Sequence, residues 1–351
     1  PRFLFGSFSD MKDDLRSSSG EIQYKRKELK VVGDFTIGTR LGKGSYGVVK
    51  EAINNEKKKR VAIKICKENA LRKIPGGLEN VLEEIKILES LNHPNVIKMI
   101  SHWKGEEKLY IVLEYVGGGN LTSLLKKLPN NKLNSNQARK VFKGLINGLE
   151  YLHNKGIIHG DIKPDNLLLT ERGDVKITDF GVSMVTEEHV LPANDPQQEP
   201  GIFGQTLCGR GQGTVAFQPP EVVAGKVKFS VCGDRLDLWA AGIVLYIITV
   251  GEYPFKGTSI GSQLDNISSV SCNFPDDLEP ELTDLLKQMF RKGDEEFVTI
   301  QNIKEHSWFN KDCSDIDVGS IPSIFERRKR GGYRVSPSFS GSNQDVTCCI
   351  L

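Results

Sequence analysis

HGDIKPDN, residues 159–166, decides how the rest of this 351-residue chain is read. A carboxylate at Asp161, an ammonium at Lys163 and an amide at Asn166 fall within one short loop. In such a loop Asp161 is placed to accept a proton from an attacking hydroxyl, and Lys163 to neutralise charge developing on a transferred phosphoryl group. Asn166 supplies a hard oxygen for a cation such as Mg2+. Further on, DFG at 179–181 provides Asp179 as the principal Mg2+ ligand, Phe180 as a packing residue and Gly181 as a hinge. A DFG tripeptide is common by chance, but not after this loop. His159 follows the apolar GII and reads as core, and Gly160 stands where many such loops carry Arg.

Upstream, LGKGSYGVV at 41–49 spaces Gly42, Gly44 and Gly47 among Leu41, Lys43, Ser45 and Tyr46. Glycines there let backbone N–H groups approach phosphate oxygens with no Cβ in the way. By itself the stretch equally describes a flexible hairpin. A dinucleotide-binding fold fits poorly, because GVVKEAI continues as strand where that fold opens a helix. The next strand, KRVAIKICK, carries Lys64, whose ammonium reaches phosphates under the loop. In LENVLEEIKILESL at 78–91, Val81, Ile85, Leu88 and Leu91 recur at helical spacing, and Glu84 is placed to hold Lys64 by an ion pair. A lone strand Lys or helix Glu is ordinarily solvated. Glycine loop, Lys and Glu in this order, on these elements, carry much more weight together.

Periodicity divides the chain. From Asp34, β-branched runs broken by Gly and polar turns predict an antiparallel meander, one amphipathic helix after three strands, and two further strands in NVIKMISHW and LYIVLEYV. After the glycines at 117–119, QARKVFKGLINGLEYLHNK, RLDLWAAGIVLYIITV and PELTDLLKQMF read as helices. The expected fold is α+β and bilobal, with a β-rich lobe at 35–116, an α-rich lobe at 117–310 and a cleft between them. Polar, Ser-rich residues 1–34 read as a flexible leader, and residues 311–351 as a disordered basic tail.

A formal charge of +2 produces no global field arguing for nucleic acid or membrane. Seven cysteines without metal-ligand spacing read as free thiols in a reducing, cytoplasmic setting, and no apolar run is long enough to span a bilayer. The start lacks the order of a secretion signal and an initiator Met, which suits a fragment or processed form.

With these motifs together the chain resembles the eukaryotic protein kinases over about residues 35–310, including QPPE, DLWAAG and EHSWF downstream. The resemblance implies ATP with Mg2+, or Mn2+ in its place, and protein substrates. It implies that Val49, Ala62 and Leu168 sandwich adenine, that Leu113 is the gatekeeper and Glu114 to Val116 the hinge, and that Asp237 anchors the catalytic loop. It also implies that Leu88, Met99, His159 and Phe180 form an aligned hydrophobic column, that residues 179–221 are the activation segment, and that Thr214 helps orient Asp161 and Lys163. DIKPDN is similar to the serine/threonine class. More narrowly, LRKIPGGLENV, HGDIKPDNLLL, GQGTVAFQPPE and ITVGEYPFKG resemble the liver kinase B family. That likeness implies downstream kinases as substrates and dependence on an adaptor pseudokinase and an armadillo-like scaffold.

Three departures stand out. Gly160 cannot grip a phosphorylated activation loop as Arg does, which fits activation by partners. Phe297 occupies the place of an Arg that pairs with the Glu ending the activation segment, leaving Glu221 to find a substitute such as Arg291 or Lys292. The activation segment is also longer than usual. Finally, CCIL at the end of the chain fits a prenylation signal with Cys348 as acceptor. RRKR at 327–330 would be a second, electrostatic membrane signal or a nuclear-import signal.

Overall fold

The computed structural model describes residues 15–16, 22–23, 30–44, 46–185, 214–224, 233–292 and 297–312. Two short strands, β1 (Leu15–Arg16) and β2 (Ile22–Gln23), pair antiparallel. A six-stranded antiparallel sheet follows, built from β3 (Lys30–Val32), β4 (Phe35–Lys43), β5 (Val48–Asn54), β6 (Lys59–Lys67), β7 (Met99–Lys104) and β8 (Lys108–Glu114). Its order is β3-β4-β5-β6-β8-β7. Residues of a strand alternate between faces, so β6 sends Ala62 and Cys66 into the main core while Val61 and Ile63 join a second cluster on the opposite face.

Between β6 and β7 lie a single turn, α1 (Glu68–Leu71), and then α2 (Gly77–Ser90). The turn before α2 is an addition to the one helix expected there. Helix α2 buries Val81, Glu84, Ile85 and Leu88, a stripe at helical spacing that docks it on the sheet and aims Glu84 inward.

The α-rich lobe opens with α3 (Leu121–Leu125) and α4 (Ser135–His153). Asn134 and Gln137 close a reciprocal capping box on α4, satisfying two donors that the helix itself leaves unpaired. Short strands follow: β9 (Ile157–Ile158), β10 (Leu167–Leu169), β11 (Val175–Ile177) and β12 (Met184–Val185), pairing β10 with β11 and β9 with β12. After these come α5 (Pro220–Val223), α6 (Gly233–Val250), α7 (Ile260–Ser269), α8 (Pro280–Met289), α9 (Ile300–Glu305) and α10 (Ser307–Asn310). Every residue of α6 from Asp237 to Thr249 is buried, which its all-round apolar composition dictates. Arg139 is 2% exposed, yet it donates to the Trp308 carbonyl at 2.7 Å and stacks on that indole, so it is buried without being unsatisfied.

Backbone bonds from Ile97 N–H to the Ile177 carbonyl and from Ile177 N–H to the Asn95 carbonyl tie the β-rich lobe to the β10–β11 hairpin. Lys176 adds an ion pair at 2.8 Å to Glu114, the last residue of β8. The cleft therefore has a fixed floor. The expected α+β bilobal fold is the one observed, and the helices read at 137–155, 235–250 and 280–290 are α4, α6 and α8, with ends shifted by up to two residues.

Candidate active site

The register of the sheet brings the first group together. Lys64 on β6 lies opposite Val49 on β5 and Ile111 on β8, and Ala62 lies opposite Leu113. The Lys64 ammonium reaches both carboxylate oxygens of Glu84 at 2.5 and 2.7 Å, and Asp179 Oδ1 at 3.4 Å. Burial works to lower the Lys64 pKa, but the two carboxylates outweigh it and move it upward, so the ammonium stays charged. Burial likewise pushes Glu84 upward, with Lys64 opposing it. Each charge is the other's compensation.

Over Lys64 sits the glycine loop, with Gly44 N–H bonded to the Gly47 carbonyl at 2.9 Å. A Cβ on Gly47 would stand 2.5 Å from the Ile65 carbonyl oxygen, so no larger residue fits. Tyr46 is turned inward: only 8% exposed, its hydroxyl accepts from Asn80 Nδ2 on α2 at 2.9 Å, and its ring lies against Gly181. Leu41 remains 46% exposed at the loop's edge, and Ser45 lies outside the described residues. Val49, Val116 and Leu168 are partly buried against the main core, and Asn120, beyond the hinge, bridges to Leu168. Nothing in the sequence marked Asn80, since one Asn in an amphipathic helix is ordinarily solvent-facing.

The loop at 159–166 forms the second group. Asp161 Oδ2 accepts from Lys163 Nζ at 2.7 Å and from Asn166 Nδ2 at 2.9 Å, and Lys163 also donates to Thr214 Oγ1 at 3.1 Å. Asp161 Oδ1 accepts no hydrogen bond among the described residues. Thr178 N–H donates to the Asn166 carbonyl, which sets Asn166 beside the strand leading to Asp179. Asp179 has φ of +67°, a left-handed conformation uncommon outside Gly and concentrated at functional sites.

Asp237 organises this loop from below. Fully buried, it accepts from the backbone N–H groups of His159 and Gly160 at 2.8 and 2.9 Å and from His153 Nε2 at 2.9 Å. Burial alone would raise its pKa, but His153 and these donors hold it below the usual carboxylate range. His159 itself is core, with Nε2 bonded to the Thr178 carbonyl and its ring edge-on to Phe180 at 5.0 Å. Leu88 and Phe180 are buried and Met99 packs against the same core.

Gly160 has φ of +77°. Its residue type is therefore a conformational matter as well as the loss of an Arg. Gly160→Arg would force an L side chain into the left-handed region, at a cost of about 1–2 kcal/mol. Urea unfolding is expected to show that loss, and a midpoint equal to that of the native chain would show that the backbone relaxes freely.

Glu221 is not left without a partner. Neither Arg291 nor Lys292 supplies the side chain: Arg235, in the first turn of α6, meets Glu221 with Nε on Oε1 and a terminal nitrogen on Oε2 at 3.1 Å. The same guanidinium lies 3.3 Å from the centre of the Phe297 ring and donates to the Arg291 backbone carbonyl at 3.1 Å. Phe297, which reads as a lost cation in sequence, thus becomes the surface on which the replacement cation stacks. An Arg two residues before Asp237, at the head of an otherwise apolar helix, was the available signal.

A Lys–Glu pair on strand and helix, a glycine loop above it and an Asp–Lys–Asn loop between two such lobes define the protein kinase class of fold and site. The protein kinase domain profile matches residues 35–309, and the chain belongs to that family. It is similar to serine/threonine-protein kinase STK11 of Homo sapiens, 42% identical over 300 residues covering 84% of this chain and 66% of that protein. The Xenopus laevis protein is 40% identical over 90% of this chain and 70% of its own length, and the Dictyostelium discoideum homologue 38% identical over 84% and 49%. The chain spans just under two thirds of the human relative's length. These relatives agree with the liver kinase B resemblance read from the motifs.

Proposed function

We propose that this chain transfers the γ-phosphate of ATP to serine or threonine of proteins, and that its substrates are activation loops of kinases related to AMP-activated protein kinase. The observation carrying the first part is Asp161 Oδ1, left without a hydrogen bond among the described residues, beside an Asp161–Lys163–Thr214 hydrogen-bond chain. Asp161 takes the hydroxyl proton as the oxygen attacks, and Lys163, held by Thr214, meets charge on the group in transit. Lys64, fixed by Glu84, binds the phosphates beneath the loop at 41–47, while Val49, Ala62 and Leu168 face adenine and the Glu114–Val116 backbone binds its edge. Asp179 and Asn166 present hard oxygens, and the Asn166 amide nitrogen is already spent on Asp161, which leaves Oδ1 for a cation. Their chemistry suits Mg2+ or Mn2+, which when bound would screen the phosphate charge.

Control by an adaptor pseudokinase and an armadillo-like scaffold is supported by Gly160, which cannot bind a loop phosphate as Arg would. Cys348 lies outside the described residues. Its prenylation, with RRKR as the electrostatic partner, would add peripheral membrane contact to a cytoplasmic enzyme. Mass spectrometry of the native C-terminus decides this, and an unmodified Cys348 rules it out.

The rival reading, a pseudokinase adaptor, fits poorly with intact transfer groups at Asp161, Lys163, Asn166 and Asp179. A calmodulin-dependent kinase kinase reading needs a longer basic insert before α2 than LRKIPGGLEN. The test is labelled-phosphate transfer from ATP to a peptide from an AMP-activated kinase activation loop, with and without adaptor and scaffold. Transfer that requires both partners is expected, and no transfer in the full complex refutes the enzyme reading.

A further inference from the structure

The face of the six-stranded sheet turned away from α2 carries its own apolar cluster. Its buried members, including Phe35, Ile37, Ile63, Tyr110 and Val112, all come from strands of that one sheet. At its end, toward the glycine loop and α1, the cluster opens into a groove of about 1070 Å3, mouth included. The floor is apolar, with Val32, Ile37, Ile65, Leu71 and Ile74. Around it stand Lys30, Lys43, Lys50, Lys67 and Lys108, and no acidic residue lines it. None of these five lysines makes an ion pair among the described residues. Five like charges gathered on one apolar groove repel one another unless an anionic ligand relieves them.

We infer that residues 3–14 of this same chain dock in the groove. Three features select that occupant. The chain enters the lobe at the groove itself, since Lys30 and Val32 of β3 are part of its wall. The segment is amphipathic in the required sense, FLFGSFSDMKDD, with Phe3, Leu4, Phe5 and Phe8 for the floor and Asp10, Asp13 and Asp14 for the lysines. Because Leu15 pairs with Gln23, only residues 24–29 separate the end of the segment from β3, a reach of about 20 Å at most, which holds the segment near the groove at a millimolar effective concentration.

Docking would bear on the active site. Lys43, Gly44, Tyr46 and Gly47 belong both to the groove wall and to the glycine loop, and α1 leads into the helix carrying Glu84. A seated segment stiffens the loop from its outer side. That consequence rests on the ATP reading above; the docking does not.

The test uses the full chain and zero-length carbodiimide cross-linking of carboxylates to amines, read by mass spectrometry in a mixture of light and heavy isotope-labelled protein. Expected are intramolecular links from Asp10, Asp13 or Asp14 to Lys43, Lys50, Lys67 or Lys108. In Phe3→Ser/Phe5→Ser/Phe8→Ser, which leaves every described residue unchanged, their yield should fall about tenfold or more as the apolar anchors are lost. Absent links, or links indifferent to the three substitutions, overturn the proposal. Links only between light and heavy chains overturn it in favour of a second copy. Groove lysines that are unlinked in buffer but shielded from acetylation by vesicles of 30% phosphatidylserine in phosphatidylcholine overturn it in favour of a membrane.

Discussion

Asp161→Ala is expected to lower the rate of phosphate transfer by about 10²–10⁴-fold, the range a positioned general base contributes. Asp161 Oδ2 is spent on Lys163 and Asn166, and the substitution removes the only carboxylate oxygen these groups leave open. The loss should fall on kcat, with KM for ATP near the native value, because the Lys64–Glu84–Asp179 group is untouched. Lys163 keeps its bond to Thr214, so the loop retains a partner for the freed ammonium. Single-turnover kinetics, run with the adaptor and scaffold of the proposed function present, measures the effect. Turnover within a few-fold of native would remove Asp161 from the mechanism.

Arg235→Ala should destabilise the α-rich lobe by about 2 kcal/mol, the scale of hydrogen bonds to a charged group. The figure stays below that of a fully buried pair because Glu221 keeps 24% of its side-chain surface exposed. Urea unfolding reports the loss, and transfer should fall with it if Glu221 ends the activation segment as the kinase resemblance implies. The second substitution makes the prediction specific. Phe297→Arg in the Arg235→Ala background places a guanidinium at the other wall of the same site and should restore most of both stability and transfer. In the native background Phe297→Arg should instead destabilise, by putting two cations side by side and removing the ring beneath Arg235. Additive losses in the double variant would mean that the two positions do not serve one carboxylate.

Both experiments bear on how far residues alone could be read. Spacing carried Lys64, Glu84, Asp161, Lys163, Asn166 and Asp179, because each lies in a segment whose local pattern assigns it to a strand, a helix or a tight loop. The inward stripe of α2 places Glu84 on the sheet side however the rest of the chain is arranged. Glu221 offered no such help. Its partner lies on a different helix, and the candidates nearest Phe297 in sequence, at 291 and 292, contribute no side chain to it. A long charged side chain chooses among partners by where the helix ends converge, and periodicity carries no information about that.

Gly160 shows the same division within one residue. Read as a letter, it is a missing Arg and a statement about control. Only the fold shows a left-handed backbone there, held by the Gly160 N–H on Asp237, which makes the glycine a conformational requirement as well. The order of elements, the bilobal division and the chemistry of the transfer loop were thus determined by local pattern, since hydrophobic period and motif spacing act over a few residues. The Arg235–Glu221–Phe297 exchange, the Tyr46–Asn80 contact and the lysine-rimmed groove were decided by tertiary packing, because each depends on groups far apart in sequence meeting at atomic distance.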